Sequence, residues 1–376
     1  EAIIPIAPNT SSYHYYRSNG LVRHPGGYLG EDIDVLYDFI HSGDESKRPY
    51  NNKTVRDTEM ANGMDRKTGD LNDFWNDRDY LNQMDGMKAA LLMSHGFNDW
   101  NVMPEHSYRI YKAAKEKGLP TQIYYHQLGH GGPPPMTMMN RWFTKYLHGI
   151  DNGVEKEENT AYIVRENDDN QQPTAYKDYP NPKASDVTFN LTAGGVMSGG
   201  LTFNSGTETS ETLIDDATIS GGELAKIAYS KNRLLYVTPK LKNDLHISGV
   251  SKVSITLSSN KTAANLSVWL VSLPWQEGGK ITDNIITRGW ADPKNHKSLT
   301  DEEDLIPGEF YTVNFDLQPD DQIIKTGQQI GFMIFSSDKE FTLHPEAGTE
   351  LSIQLDNTTL TLPVVGGKDA FVKATN

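Results

Sequence analysis

Two residues in this chain are placed to exchange a proton. Asp99 comes just after the apolar run Ala89-Ala90-Leu91-Leu92-Met93 and its turn Ser94-His95-Gly96. His130 lies in Leu128-Gly129-His130-Gly131-Gly132, a glycine-lined loop in which the imidazole is the only titratable side chain. The apolar run reads as a strand buried on both faces of a parallel sheet. Between the two residues, 104–117 has helical spacing, with Pro104 in the first turn and Gly118 as a stop. Residues 121–126 then read as a second strand, rich in β-branched and aromatic side chains. Strand, acid, helix, strand, imidazole make a βαβ unit whose carboxyl edge carries both groups, and ligands bind at that edge in open α/β sheets. The order also fits the last two members of a Ser, Asp, His triad. There the acid fixes the tautomer of the imidazole, which takes the serine proton and returns it to the leaving group. By residue type alone, the same pair fits an N-capping acid and an unreactive loop imidazole.

The elements that must position this pair occupy the first 155 residues. Glu1-Ala2-Ile3-Ile4-Pro5-Ile6-Ala7 reads as a core strand with no start methionine, so the chain is expected to be a piece of a longer protein. Ser11-Ser12-Tyr13-His14-Tyr15-Tyr16-Arg17 is an aromatic cluster too polar for a core, expected to line a cleft. Pro25 to Asp32 is a glycine-rich turn into a helix with Ile33, Leu36, Tyr37 and Ile40 on its apolar side. Glu31 and Asp32 there read as dipole partners of the helix start. Residues 41–85 are charged and broken by glycine, a helical insertion of the kind that caps a site. Residues 136–147 place Met139, Trp142, Phe143, Tyr146 and Leu147 in a core-facing helical stripe.

Composition changes after that. Residues 156–184, acidic and proline-rich, read as a linker with one strand at 161–164. From 185 to 376 no helical period stands out. Short alternating segments (187–191, 233–239, 253–257, 266–273, 310–315, 330–335, 340–343 and 351–355) are separated by Gly, Pro, Asn and Asp turns. The fold class is therefore α/β plus all-β, the second part a two-sheet sandwich of jelly-roll type.

A net charge of −15 argues against nucleic acid or an anionic membrane as partner. Mean hydropathy of −0.58, with no apolar run near 18 residues, argues against a helical membrane span. The absence of cysteine removes disulfides, thiolate nucleophiles and cysteinyl metal sites, and fits a reducing cytoplasm while leaving secretion of the parent open. No cofactor or metal is implied, and a homo-oligomer is compatible with all of this.

The chain resembles the C-terminal half of the bacterial Xaa-Pro dipeptidyl-peptidases, α/β hydrolases related to cocaine-esterase-like and α-amino-acid ester hydrolases. The resemblance rests on Tyr15-Tyr16-Arg17-Ser18-Asn19-Gly20-Leu21-Val22-Arg23, Pro25-Gly26-Gly27-Tyr28, Gly30-Glu31-Asp32, Phe74-Trp75-Asn76-Asp77-Arg78 and His95-Gly96-Phe97-Asn98-Asp99-Trp100-Asn101-Val102. It implies Asp99 as the acid and His130 as the base. It also implies Glu31 and Asn101 as holders of the substrate's free amino terminus, with Tyr28 and Tyr15 lining that subsite. Residues 1–155 would be the C-terminal part of the hydrolase domain, 41–85 its helical cap and 185–376 a jelly roll. The implied substrate is a peptide with proline second. No serine stands in a Gly-x-Ser-x-Gly context, so the nucleophile would come from an upstream fragment of the same protein, and this chain alone is expected to be inert. Two rival readings are an ester or acyl-amino-acid hydrolase of the same fold, and a carbohydrate-binding sandwich with Trp269, Trp275 and Trp290 as platforms.

Overall fold

The structure, a computed structural model, describes residues 1–25, 30–40, 44–279 and 283–376. β1 (Ala2–Ile3) opens the chain, and Ser11 caps the short helix α1 (Ser12–Tyr16) by accepting the amide of His14. β2 (Arg17–Ser18) and β3 (Leu21–Val22) form a small hairpin, and α2 (Ile33–Ile40) follows. The insertion is helical: α3 (Arg48–Asn51), a π-helical stretch Asn52–Met60, α4 (Ala61–Gly63), α5 (Asp73–Asn76) and a 3-10 segment Tyr80–Gly86. Its anchor is Trp75, fully buried against Tyr13, Tyr15, Tyr16, Ile33 and Val102.

β4 (Ala90–Gly96) and β5 (Thr121–His126) are buried at every residue, as strands covered on both faces are. They pair in parallel across α6 (Glu105–Glu116), and α7 (Met136–Tyr146) follows β5. β6 (Ala161–Ile163) adds in parallel to β5, and β7 (Thr174–Tyr176) closes the sheet antiparallel, giving the order β1-β4-β5-β6-β7. The segment 156–184 is therefore not simply a linker: it supplies two strands of three residues each.

Other expectations need correction. β1 is bonded to β4 alone among the described residues, and the opening run is only partly core: Ala7 is buried and Ala2 and Ile4 pack on Leu92 and Trp142, while Ile3 and Ile6 are about two-fifths exposed. The cluster of Tyr13, Tyr15 and Tyr16 is buried, because it packs with Trp75 and two of its hydroxyls find partners, that of Tyr13 on the Gly69 carbonyl and that of Tyr15 on Asn101 Oδ1. In α7 the core takes Trp142, while Leu147 is exposed.

The remaining strands form a 13-stranded, almost wholly antiparallel sheet around a large apolar core, with a second, smaller apolar cluster around Trp269, Met333 and Phe335. The residues 340–343 add no strand to it. They form a turn tied to the first domain by a bridge between Arg23 and Thr342. Among the described residues, α-helices also interrupt this half at Gly221–Lys226, with a Ser220/Glu223 capping box, and at Gly367–Thr375. Trp269 and Trp290 are fully buried, and both indole N–H groups donate to Asp338 Oδ2, at 2.8 and 2.9 Å. Neither can serve as a sugar platform.

Candidate active site

The site sits where three successive parallel strands end. Asp99 follows β4, His130 follows β5 and Glu166 follows β6. Gly96 ends β4 because nothing larger fits: a Cβ there would lie 1.9 Å from the Leu128 carbonyl oxygen. The loop after β5 is thus pressed against the end of β4. His126 shapes that loop from within. Its Nε2 donates to the Gly131 and Gly132 carbonyls, both at 3.0 Å, and its Nδ1 accepts the Leu128 amide at 3.1 Å. Burial pushes the His126 pKa down, with the two carbonyls opposing, which favours the neutral ring those bonds require. Ser94 Oγ donates to the Gly132 carbonyl at 2.8 Å. Gly132, at φ +80°, adopts a backbone that L side chains rarely take, and a Cβ there would meet the His126 ring.

His130 is thereby presented to Asp99. Its Nδ1 lies 2.9 Å from Asp99 Oδ2; the imidazole is about half exposed and the carboxyl fully buried. Donation from Nδ1 leaves the Nε2 lone pair to take a proton. Asp99 Oδ1 accepts the amides of Asn101 at 3.1 Å and Val102 at 3.0 Å. A second imidazole also reaches the acid, one that the residue pattern did not single out. His95 Nε2 lies 3.2 Å from Asp99 Oδ2 and 2.7 Å from the Val102 carbonyl, both acceptors, so Nε2 carries the proton. Ser107 Oγ then donates to His95 Nδ1 at 2.6 Å. Burial would raise the Asp99 pKa, but the bonds and charges of His95 and His130 outweigh it and hold the carboxyl below its ordinary value. The signal for His95 was its position four residues before Asp99, at the end of a strand whose apolar run leaves a polar side chain in need of a partner.

Next to this pair lies the other group of candidates. Tyr15 Oη donates to Asn101 Oδ1 at 3.3 Å, and Asn101 Nδ2 donates to the Pro25 carbonyl at 2.9 Å. Asn101 Oδ1 keeps a second lone pair. Burial raises the Tyr15 pKa, the Asn101 bond opposes it, and the charges of Glu31 and Asp99 reinforce it, so both carboxylates lie within electrostatic reach of this phenol. Asp32, beside Glu31, is structural: it is fully buried, 2.9 Å from Arg17 Nη2 and 3.2 Å from Arg66 Nε, and it accepts the Ile33 amide. That fixes the backbone from which Glu31 projects. Tyr28 lies outside the described residues. Among the described residues no group of three or more His, Asp or Glu is placed to hold a metal ion. Nor is any helix long and apolar enough to cross a membrane.

A parallel sheet with an acid and an imidazole at adjacent strand ends, joined to a β-sandwich, is the architecture of an α/β hydrolase with an appended sandwich domain. Solved structures share it: an aminopeptidase from a marine-sediment archaeon of the Thaumarchaeota (TM-score 0.71, 12% identity, covering 97% of this chain and 72% of that one) and an α-amino acid ester hydrolase (TM-score 0.70, 13% identity, 97% and 72%). Residues 152–372 match the family described as the X-Pro dipeptidyl-peptidase C-terminal non-catalytic domain, and residues 1–132 match X-Pro dipeptidyl-peptidase (S15 family). The chain belongs to the X-Pro dipeptidyl-peptidase family. It is 59% identical over 371 residues to a putative Xaa-Pro dipeptidyl-peptidase of Rhodopirellula baltica, covering 98% of this chain and 59% of that protein. It is 36% identical over 373 residues to one from Bacillus anthracis, covering 97% and 60%. The chain thus spans about three-fifths of the length of these relatives.

Proposed function

We propose that the complete protein is a serine-type exopeptidase that releases Xaa-Pro dipeptides from peptide amino termini. His130 is its general base and acid, and Asp99 the carboxylate behind it. Glu31, Asn101, Tyr15 and Tyr28 form the subsite for the free amino group. The observation that carries the reading is the 2.9 Å contact of Asp99 and His130 at adjacent strand ends, with Glu31 and Asn101 grouped around Tyr15 beside them. The nucleophilic serine comes from sequence upstream of this chain. In support, the hydroxyls of Ser94 and Ser107, on and near β4, are already engaged in the bonds that shape the site. Also in support, among the described residues the outer edge of β1 carries no strand, and an apolar cavity of about 390 Å³ is lined by Ile3, Pro5, Met84, Leu91, Met93 and Ile110. A strand ending in a serine elbow would pair there and cover those side chains.

The serine attacks the carbonyl carbon of the second-position proline, His130 takes the hydroxyl proton and gives it to the leaving amine of the third residue, and water then hydrolyses the Xaa-Pro acyl-enzyme. Glu31 acts as the ruler, since a carboxylate facing the substrate's ammonium places the cut two residues in. Such a charge-assisted bond is worth about 1.5–3 kcal/mol.

Two assays test this. On Ala-Pro and Gly-Pro chromogenic amides this chain alone should be inert and should gain activity when the upstream fragment is added; turnover by the chain alone would reveal another nucleophile. In the complete protein, Glu31→Gln should cost about ten- to a hundredfold in kcat/KM on free-amino substrates and little on acyl esters. Equal losses on both would make Glu31 a helix-start acid and the protein an ester hydrolase of the same fold.

A further inference from the structure

The loop that carries Asp99 is gripped from outside its own domain. Trp100, the next residue, lays its ring over the guanidinium of Arg288, whose Cζ is 4.4 Å from the ring centroid. Arg288 belongs to the sandwich strand Ile285–Ala291. The same guanidinium lies 4.3 Å from the centroid of Trp269 and 5.0 Å from that of Phe341. It is 2% exposed, and its Nε and Nη1 have no hydrogen-bond partner. Asp338 balances its charge through space, yet Asp338 Oδ2 is committed to the two indole N–H groups. Further along the loop, fully buried Met103 packs with Leu21, Trp290 and Phe341, and the Glu105 amide donates to Gln318 Oε1 at 3.2 Å.

The contacts of this loop therefore divide by residue. Asp99, with the amides of Asn101 and Val102, turns to the imidazoles, while Trp100, Met103 and Glu105 bind the sandwich. An arginine that forgoes hydrogen bonds in a dry site is held by the aromatic faces around it. Of those faces, only Trp100 belongs to the loop that carries the acid. The planar guanidinium suits that stacking, whereas an ammonium is a point charge that cannot stack.

We infer that Arg288 is a positioning residue: through Trp100 it fixes the loop that holds Asp99 against His130, so that the β-sandwich sets the geometry of the hydrolase site. The inference rests on the peptidase reading for its catalytic consequence but not for its geometric one, and the two are tested separately. In this chain, the Nδ1 proton of His130, hydrogen-bonded to a carboxylate, should give a downfield ¹H resonance. Arg288→Met and Trp100→Leu should shift or broaden it, and Trp100→Phe, which keeps an aromatic face, should preserve it. In the complete protein, Arg288→Met should lower kcat about tenfold or more with KM changed less than twofold, and Arg288→Lys should not restore it. Should Arg288→Met fail to fold, Trp100→Leu at its half-buried position decides. A folded Trp100→Leu with the His130 resonance and kcat of the parent protein overturns the inference, leaving Arg288 a structural residue of the sandwich. A complete protein inert on Xaa-Pro amides, in which the resonance still responds to Arg288→Met, would overturn the peptidase reading and keep this one.

Discussion

Asn98 separates two buried carboxyl groups that the fold treats in opposite ways. On one side is Asp99, fully buried, with two backbone amides on Oδ1 and two imidazoles on Oδ2. On the other is Glu166, 3% exposed, which takes the Asn98 amide on Oε1 and lies near Asp320, Asp321 and Asp283. Asp99 is held below its ordinary pKa, whereas burial and the neighbouring carboxylates push Glu166 well above its own. Asp320 is pushed up in the same way, and neither of its carboxyl oxygens has a hydrogen-bond partner. Burial is common to all three acids. What differs is their company, N–H donors on both oxygens of Asp99 and further carboxyls beside Glu166 and Asp320, and that company sets the direction of each shift.

The largest test removes the charge where it is best supported. Asp99→Asn puts an amide N–H₂ against two imidazole donors and favours the wrong His130 tautomer. In the complete protein kcat should fall by about 10³–10⁴, the loss typical of a triad acid, with KM little changed. Activity within a few-fold of the parent would make Asp99 an N-capping acid and dissolve the contrast with Glu166.

A smaller effect is expected from the second imidazole. His95→Phe keeps a flat ring in β4 but takes away the donor shared by Asp99 Oδ2 and the Val102 carbonyl, and the acceptor of Ser107. Each buried polar group left without a partner costs about 1–3 kcal/mol. Denaturant unfolding should show a loss of that size, and the pKa of Asp99, followed by carboxyl ¹³C NMR, should rise. A stable variant with an unmoved Asp99 would show that His130 and the backbone amides hold the charge without help.

How far the sequence discloses this arrangement depends on the range of the interactions. The βαβ unit and its two chemical residues are legible because β4 opens on an apolar run, β5 is rich in β-branched and aromatic side chains, and the glycines beside His130 leave little else for that loop to do. His95 is not, since its partners Val102 and Ser107 reach it only after the chain has turned twice. The strand Asp320–Ile324 is equally hidden: Asp320, Asp321 and Gln322 are all buried, and polar residues at consecutive buried positions erase the alternation by which a strand is recognised. The stacking of Trp100 on Arg288 joins residues from the two halves of the chain and leaves no local trace at all.

The smallest effect, and the most selective, concerns Glu166. Its folded pKa lies above the unfolded value of about 4.3, so between those two values the folded protein holds a proton that the unfolded chain has released. Stability tied to that proton is complete below the unfolded pKa and drains away as pH rises toward the folded one. Glu166→Gln mimics the protonated form and still offers Asn98 an oxygen to bond. At pH 4 the variant and the parent should therefore unfold at the same temperature. By pH 8 the variant should be the more stable, by roughly 2–4 °C for each ~1 kcal/mol released in a domain of this size. Asp99 predicts the mirror image, because its depressed pKa stabilises the fold above the unfolded value of about 3.9 and that contribution is lost on acidification. A Glu166→Gln advantage of the same size at pH 4 and pH 8 would mean that the gain comes from packing, and that Glu166 is charged in the folded protein like Asp99.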